Sequence, residues 1–381
     1  MKRVLKKILY ITTDSWWDTD TTIIPQLSQD YDVEVFVASM AERNKNKFVE
    51  KAVPSNVKIH DFHIVRTQKN PLMLFASLFY LLRLILALPK SDYVFWVIDS
   101  IIYYSLPFSW FCPIYKTILS LHNYEEHIGG KRQLFDLKSY LLNRYKYFHF
   151  HSAIQKDLFL KDYKSKETFF TNMPLKYYGA SHNSFSSIFP RQQRTFLFFG
   201  MIRDYKRPDM FLRSVNQFSN ANFMIVGYTK TPSKYERIVT TNHQNFHANY
   251  TFVTNEQIAD YFSFADFLVL PYDDATQSGP LLTAVAYHVP VIASDQPIFK
   301  VMIKNKKNGL IFSAGDQKEL NKSIRVAIEM TEEEYQMMKS NQKEVADSYA
   351  EKTDFKIAFK DFINNKLKDG NNKDISYNDG D

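Results

Sequence analysis

Short, nearly continuous apolar runs recur along the chain, separated by longer stretches in which apolar positions recur at helical spacing. Continuous runs mark strands buried on both faces, so the alternation predicts α/β units around parallel sheets. In the first half the predicted strands are residues 7–12, 32–38, 57–62, 93–98, 116–121 and 147–151, with helices that include 21–28, 72–88 and 134–145. A polar, turn-rich segment, 178–194, interrupts the pattern and reads as a linker. The second half restarts with predicted strands 195–199, 222–226, 250–253, 267–270, 291–293 and 310–312. Its predicted helices are 208–218, 256–264, 281–286, 317–330 and 331–348. The organisation read from this pattern is an N-terminal Rossmann-like domain, 1–177, and a second one, 195–348. A helix over 349–368 packs back on the first domain, and the polar tail 369–381 reads as disordered.

Composition narrows the class. A chain of 381 residues, 45% hydrophobic, is long enough for two cores and too apolar for disorder. The formal net charge of +7 is mild and spread out. It permits contact with anionic lipid or phosphorylated substrates and falls short of a nucleic-acid footprint. The lone Cys112 excludes an internal disulfide and sits among aromatics, as a buried thiol would. The basic start, MKRVLKKILYITTD, has too short an apolar stretch for a secretory signal and reads as the first strand of a cytoplasmic protein. Residues 72–88 are the one membrane-like run, but Arg83 interrupts it; a buried helix is preferred, with membrane-surface contact second.

Two loops carry candidate chemistry. The first, Gly200-Met201-Ile202-Arg203-Asp204-Tyr205-Lys206-Arg207-Pro208, joins a strand to a helix and holds two cations that could grip a diphosphate. A solvated basic loop is the equal alternative from pattern alone. The second, Asp274-Ala275-Thr276-Gln277-Ser278-Gly279-Pro280, feeds the N-terminus of an apolar helix, where unpaired backbone N–H groups suit an anionic or hydroxyl-rich ligand.

Together these loops resemble those of family 4 of the retaining glycosyltransferases, in a branch with Gly-x-Ile-Arg-x-Tyr-Lys and Ala-Thr-Gln-Ser-Gly loops. Pro290-Val291-Ile292-Ala293 and Asn308-Gly309-Leu310-Ile311-Phe312 fit the same pattern, and the likeness covers most of residues 195–330. The resemblance implies a GT-B fold: α/β, with two Rossmann-like domains facing a central cleft. It implies transfer of a sugar, with retention and without a metal or other cofactor, from a UDP- or GDP-linked donor to a glycan or lipid-linked acceptor. Bacterial polysaccharide or glycolipid synthesis at the inner face of the membrane would be the setting.

Carried over by motif, Arg203 and Lys206 would contact the diphosphate, with Gly200 behind them. Ser278, Gly279 and the helix N-terminus after them would meet the sugar or the distal phosphate. Thr283 would lie over the ribose and Val253 beside the base, and Thr276, Gln277 and Leu281 would also bind the donor. His122, at the end of the strand 116–121, would meet the sugar from the first domain. Many relatives carry glutamates where this chain has Ala275 and Thr283; Asp274 is the nearest substitute acid. That departure keeps open a non-catalytic nucleotide-sugar-binding partner, and a sugar-nucleotide epimerase shares the architecture.

Other residues admit two readings. Asp20 or Thr21 caps a helix first and touches acceptor second; an Asp18–Asp20 metal pair belongs to a different glycosyltransferase fold. Asn123 and His127, with Glu125 and Glu126, face acceptor or form a solvated loop, and a metal site of His122, Glu126 and His127 ranks low. His151-Ser152 is a structural turn before it is a ligand contact. The aromatic stretch 101–115 is mostly core, with an exposed fraction suited to lipid.

Overall fold

Strands buried on both faces need cover on both faces, and the computed structural model of the chain supplies it twice. It describes residues 5–39, 53–63, 71–98, 105–121, 124, 137–182, 189, 193–240, 244–275, 277–351 and 354–367. The chain divides into two compact units, residues 1–174 with 352–381, and residues 175–351.

The first unit holds β1 (Lys7–Thr13), β2 (Asp32–Ser39), β3 (Lys58–His63), β4 (Tyr93–Val97), β5 (Thr117–Leu121), β6 (Tyr147–Phe150) and β7 (Glu167–Phe170). They form one parallel sheet in the order β3-β2-β1-β4-β5-β6-β7. Successive residues of a strand point to opposite faces, which explains the two cores. Leu9, Ile11, Phe36, Val94, Trp96 and Leu119 pack beneath the helices Pro71–Ala87 and Ser105–Phe111. Ile8, Tyr10, Val35, Phe95 and Ile118 pack on the other face, under Trp17–Leu27 and Phe355–Phe362. The latter helix returns from the far end of the chain and seats Phe355, Phe359 and Phe362 in that core.

The second unit holds β8 (Thr195–Phe199), β9 (Asn222–Val226), β10 (Phe246–Asn249), β11 (Phe267–Leu270), β12 (Val291–Ser294) and β13 (Gly309–Phe312), parallel in the order β10-β9-β8-β11-β12-β13. In both sheets connections leave one central strand in each direction: from β1 and β4 in the first, from β8 and β11 in the second. Ligands of such sheets bind at this switch point, beyond the carboxyl ends of the strands.

Several predicted elements differ. The strand expected at 250–253 is β10, which ends at Asn249. The Asn245 side chain donates to Phe218 and Ala221 carbonyls and sets the strand's start, while Asn249 accepts from Thr251 and ends it. Thr254 and Gln257 then form a capping box that starts the next helix. The helix expected at 21–28 begins at Trp17, so Asp20 and Thr21 lie inside it and neither caps it. β7 and the helices Ser105–Phe111, Ala153–Asp162, Pro232–Glu236 and Pro297–Met302 were not predicted; all are short. The helix near 72–88, expected to be buried, presents one face to solvent, because only its Tyr80–Leu84 side meets the sheet.

Candidate donor-binding site

At the switch point of the second sheet the loops after β8 and β11 close on each other. Gly200 follows β8 with φ +108°, and its N–H donates to the Val226 carbonyl at 2.9 Å. A Cβ added there would lie 3.2 Å from Pro280 Cγ and 3.5 Å from Lys206 Nζ. Gly227 lies against it so closely that a Cβ would fall 1.8 Å from the Gly200 carbonyl oxygen. Only glycine fits at 227, and this brings β9 up under the loop.

Hydrogen bonds hold the loop's shape. The Asp204 carboxylate accepts from Tyr235 at 2.9 Å and Lys234 at 2.5 Å. Arg207, at φ 51°, spends its guanidinium on Asp209 and Asp273. The Asp273 N–H donates to the Tyr205 carbonyl at 2.8 Å, tying the two loops together. Ser294 and Gln296, at the end of β12, donate to the carbonyls of Tyr272 and Asp273.

The outcome is Lys206. It ends a 3-10 turn, Asp204–Lys206, with 9% of its surface exposed and its ammonium 5.4 Å from the centre of the Tyr272 ring. Burial, and then the neighbouring Arg203 guanidinium, push its pKa down to about 8. Among the described residues no carboxylate pairs with it. Burying a charge without a counter-charge is costly, which is why the pKa falls. Arg203 itself is exposed and hydrogen-bonded to Tyr205.

Beside Lys206 stands the N-terminus of the helix Gly279–Ala286. Ser278 caps it, its hydroxyl accepting from the Leu281 N–H at 3.2 Å. Pro280 has no N–H, which leaves Gly279 as the first-turn donor without a partner inside the helix. Lys176 approaches from the other side: a Cβ on Gly279 would be 3.7 Å from its Nζ. The Gln277 amide is buried at both its nitrogen and its oxygen, and neither has a partner among the described residues. Such orphaned groups ask for an explanation, and a ligand is one.

Other predicted residues stand differently. Thr283 is buried, and its hydroxyl donates to the Gly279 carbonyl at 3.0 Å, which leaves its oxygen able to accept. Leu281 is buried, with its N–H taken by Ser278. Val253 is half-buried next to Phe252, which stacks on Tyr228 at 4.2 Å. Ile202 ties that pair to the loop by donating to the Tyr228 carbonyl. Asp274 is half-buried and near enough to Tyr205 to act on its hydroxyl. Thr276 and the first-unit candidates His122, Asn123 and His127, with Glu125 and Glu126, lie outside the described residues. Lys176 and Gly227 were missed by sequence reasoning: a lysine at the edge of a polar segment and a glycine after a strand carry no local signal for a shared site.

The switch point of the first sheet is finished differently. Asp20, buried in its helix, accepts from the Tyr10 and Thr12 hydroxyls at 2.6 Å each. It lines a small pocket with Trp16, Ser120 and His151. Burial, and then the Asp20 carboxylate, raise the Tyr10 pKa well above its usual value. Thr21 donates to the Asp18 carbonyl. Ser152 caps the helix Ala153–Asp162 through Gln155, the structural turn expected of it. Behind it the buried His149 bridges Ser120 at 2.9 Å and Thr171 at 2.8 Å. Cys112 is buried, and burial pushes its thiol up to about 11.

Known proteins share this fold. Residues 181–345, nearly the whole second unit, match the model of the family described as Glycosyl transferases group 1. Among solved structures, Anabaena HepE in complex with UDP and glucose is similar over 96% of this chain and 100% of its own, at TM-score 0.69 and 15% identity. Sucrose-phosphate synthase from Thermosynechococcus elongatus is similar over 90% and 94%, at 0.65 and 13%. An S. aureus TarM mutant in complex with fondaparinux, alpha-GlcNAc-glycerol and UDP is similar over 94% and 100%, at 0.68 and 11%. No curated protein sequence matches. At these identities the likeness establishes the fold, which is GT-B, with two Rossmann-like domains.

Proposed function

We propose that the protein transfers a sugar from a nucleoside-diphosphate sugar to an acceptor hydroxyl. The observation that carries this reading is the buried Lys206 ammonium, with no acid among the described residues beside it, at the N-terminus of the helix Gly279–Ala286. The family model over residues 181–345 supports it. A diphosphate there would meet Lys206, Arg203 and the Gly279 N–H. As the glycosidic bond to the donor breaks, negative charge builds on that diphosphate, and preplaced cations stabilise it most at that moment. HepE and TarM were solved with UDP, which favours a uridine donor, and the exposed Phe252 against Tyr228 offers a ring for the base to stack on.

In this reading the sugar lies toward Gln277 and Lys176. The amide can give and accept hydrogen bonds with sugar hydroxyls, in place of the acid that Ala275 and Thr283 do not supply. The anomeric configuration is retained. The leaving phosphate takes the acceptor's proton on the same face, without a metal. The acceptor is a growing glycan or a lipid-linked sugar of a cell-surface polymer. Assay of the intact chain with UDP-, GDP- and dTDP-sugars tests the reading: Arg203→Ala and Lys206→Ala should each lower turnover by about 100-fold or more while leaving the fold intact. Turnover like wild type in both would sink it. Nucleotide-sugar binding with no turnover in the unaltered chain would point to a non-catalytic binding partner.

A further inference from the structure

One face of the helix Pro71–Ala87 is apolar and open to solvent. Phe75, Leu78, Phe79, Leu82 and Leu86 are 52–70% exposed and, at 3.6 residues per turn, share an arc of about 100°. The opposite arc, with Tyr80 and Leu84, lies in the core. The helix Ser105–Phe111 packs against it and roots itself in the same core through Phe108. Just beyond that root, Trp110 is 61% exposed, Phe111 57% and Tyr115 54%. The Lys116 ammonium donates to the carbonyls of Leu88 and Ser91 at 2.8 and 2.6 Å, fastening the end of the first helix to the segment that carries Tyr115. Soluble proteins rarely leave so many large apolar side chains open side by side.

Charge argues for what covers this face. Of the described residues, 71–91 carry Arg83 and Lys90 and no acid, and 105–121 carry Lys116 and no acid, in a chain with 41 acidic residues. Arg83 lies over the Phe62 and Phe79 rings with one nitrogen 3.2 Å from His60, so its stem runs beside the apolar stripe. Trp and Tyr favour the boundary between lipid and water. No helix among the described residues is long and apolar enough to cross a membrane, so such a surface would lie on a bilayer rather than span it.

We propose that this face of the first unit docks on an anionic phospholipid bilayer, with the stripe from Phe75 to Leu86 and the rings of Trp110 and Phe111 in the headgroup region. The proposal stands apart from the donor-site reading, because lipid binding is measured without nucleotide. The full chain is floated on a density gradient with phosphatidylcholine vesicles, with or without phosphatidylglycerol. The unaltered protein should rise with the anionic vesicles and about tenfold less with the zwitterionic ones. Combined Leu78→Ser, Leu82→Ser and Trp110→Ser should lower flotation about tenfold or more. Lys90→Glu should lower it less, and salt should erase the difference. All three serines replace exposed residues, so an unchanged melting temperature checks the fold, and UDP binding should be unchanged in both variants. Three outcomes overturn the proposal: no flotation of the unaltered protein, equal flotation of the triple variant, or a lipid-free dimer that the triple variant dissolves, since the face would then belong to a second copy.

Discussion

Beyond the carboxyl end of β8 a lysine is buried with no acid among the described residues beside it; beyond the end of β1 an aspartate is buried with a hydroxyl on each oxygen. Both lie at the switch point of a parallel sheet with the same central strand order. The aspartate's charge is met by hydroxyls and the lysine's by no acid among the described residues, although the buried hydroxyls of Thr13 and Thr19 also lack a described partner. Strand order therefore locates a crevice in each sheet, and the satisfaction of the buried charge is what differs between them. The glycine content of the two loops tells the same story. Gly200 and Gly227 let backbones approach to make room for the lysine, whereas the loop after β1 has no glycine and turns directly into a helix begun by Trp17.

The contrast predicts opposite signs. Asp20→Ala strands the Tyr10 and Thr12 hydroxyls in the core and should cost about 2–5 kcal/mol of stability, read as a lower midpoint in urea unfolding. A midpoint equal to wild type would mean that the carboxylate is not structural. Lys206→Met should do the reverse. The lysine's ordinary pKa of 10.5 falls to about 8 on folding, so between those values the unfolded chain holds more protons. Stability then rises with pH across that window, and below it the charged lysine costs on the order of 3 kcal/mol. Methionine removes that cost, so the variant should unfold at higher urea at pH 7 while losing nucleotide binding. A destabilised variant would show that the ammonium has a partner in the free protein.

The smallest effect sharpens the comparison within the second unit. Thr283→Val removes a hydroxyl that bonds to its own helix, so it should cost about 0.5–1 kcal/mol of stability and leave UDP affinity within about twofold. A tenfold loss of affinity would place Thr283 on the ribose.

Much of this was legible in the sequence, for a physical reason. Strands buried on both faces are continuous apolar runs, so β1, β2, β8, β9 and β11 could be read to within a residue or so. β10 could not, because its sequence, Phe246-His247-Ala248-Asn249, is half-exposed at the sheet edge and less strand-like than the Tyr-Thr-Phe-Val run after it. The helix after β1 was misplaced because no polar side chain caps it; Trp16 occupies the cap position. In the site, Gly200, Arg203, Lys206 and the 275–279 loop were readable as local strings. Lys176 and Gly227 were not, since only the folding of distant segments brings them to Gly279 and Gly200. Nor does a motif say that Lys206 is buried, or that Thr283 has turned its hydroxyl inward; both follow from packing.

Calorimetric titration of UDP into the protein tests the central claim most directly, run near pH 8 in buffers of differing ionisation enthalpy. A diphosphate that settles on Lys206 should restore the lysine's proton, so binding should take up a substantial fraction of one proton, and affinity should fall as pH rises from 8 to 9.5. The same titration of Lys206→Met should show neither uptake nor appreciable binding. Binding of UDP with no buffer dependence, undiminished in Lys206→Met, would contradict the account.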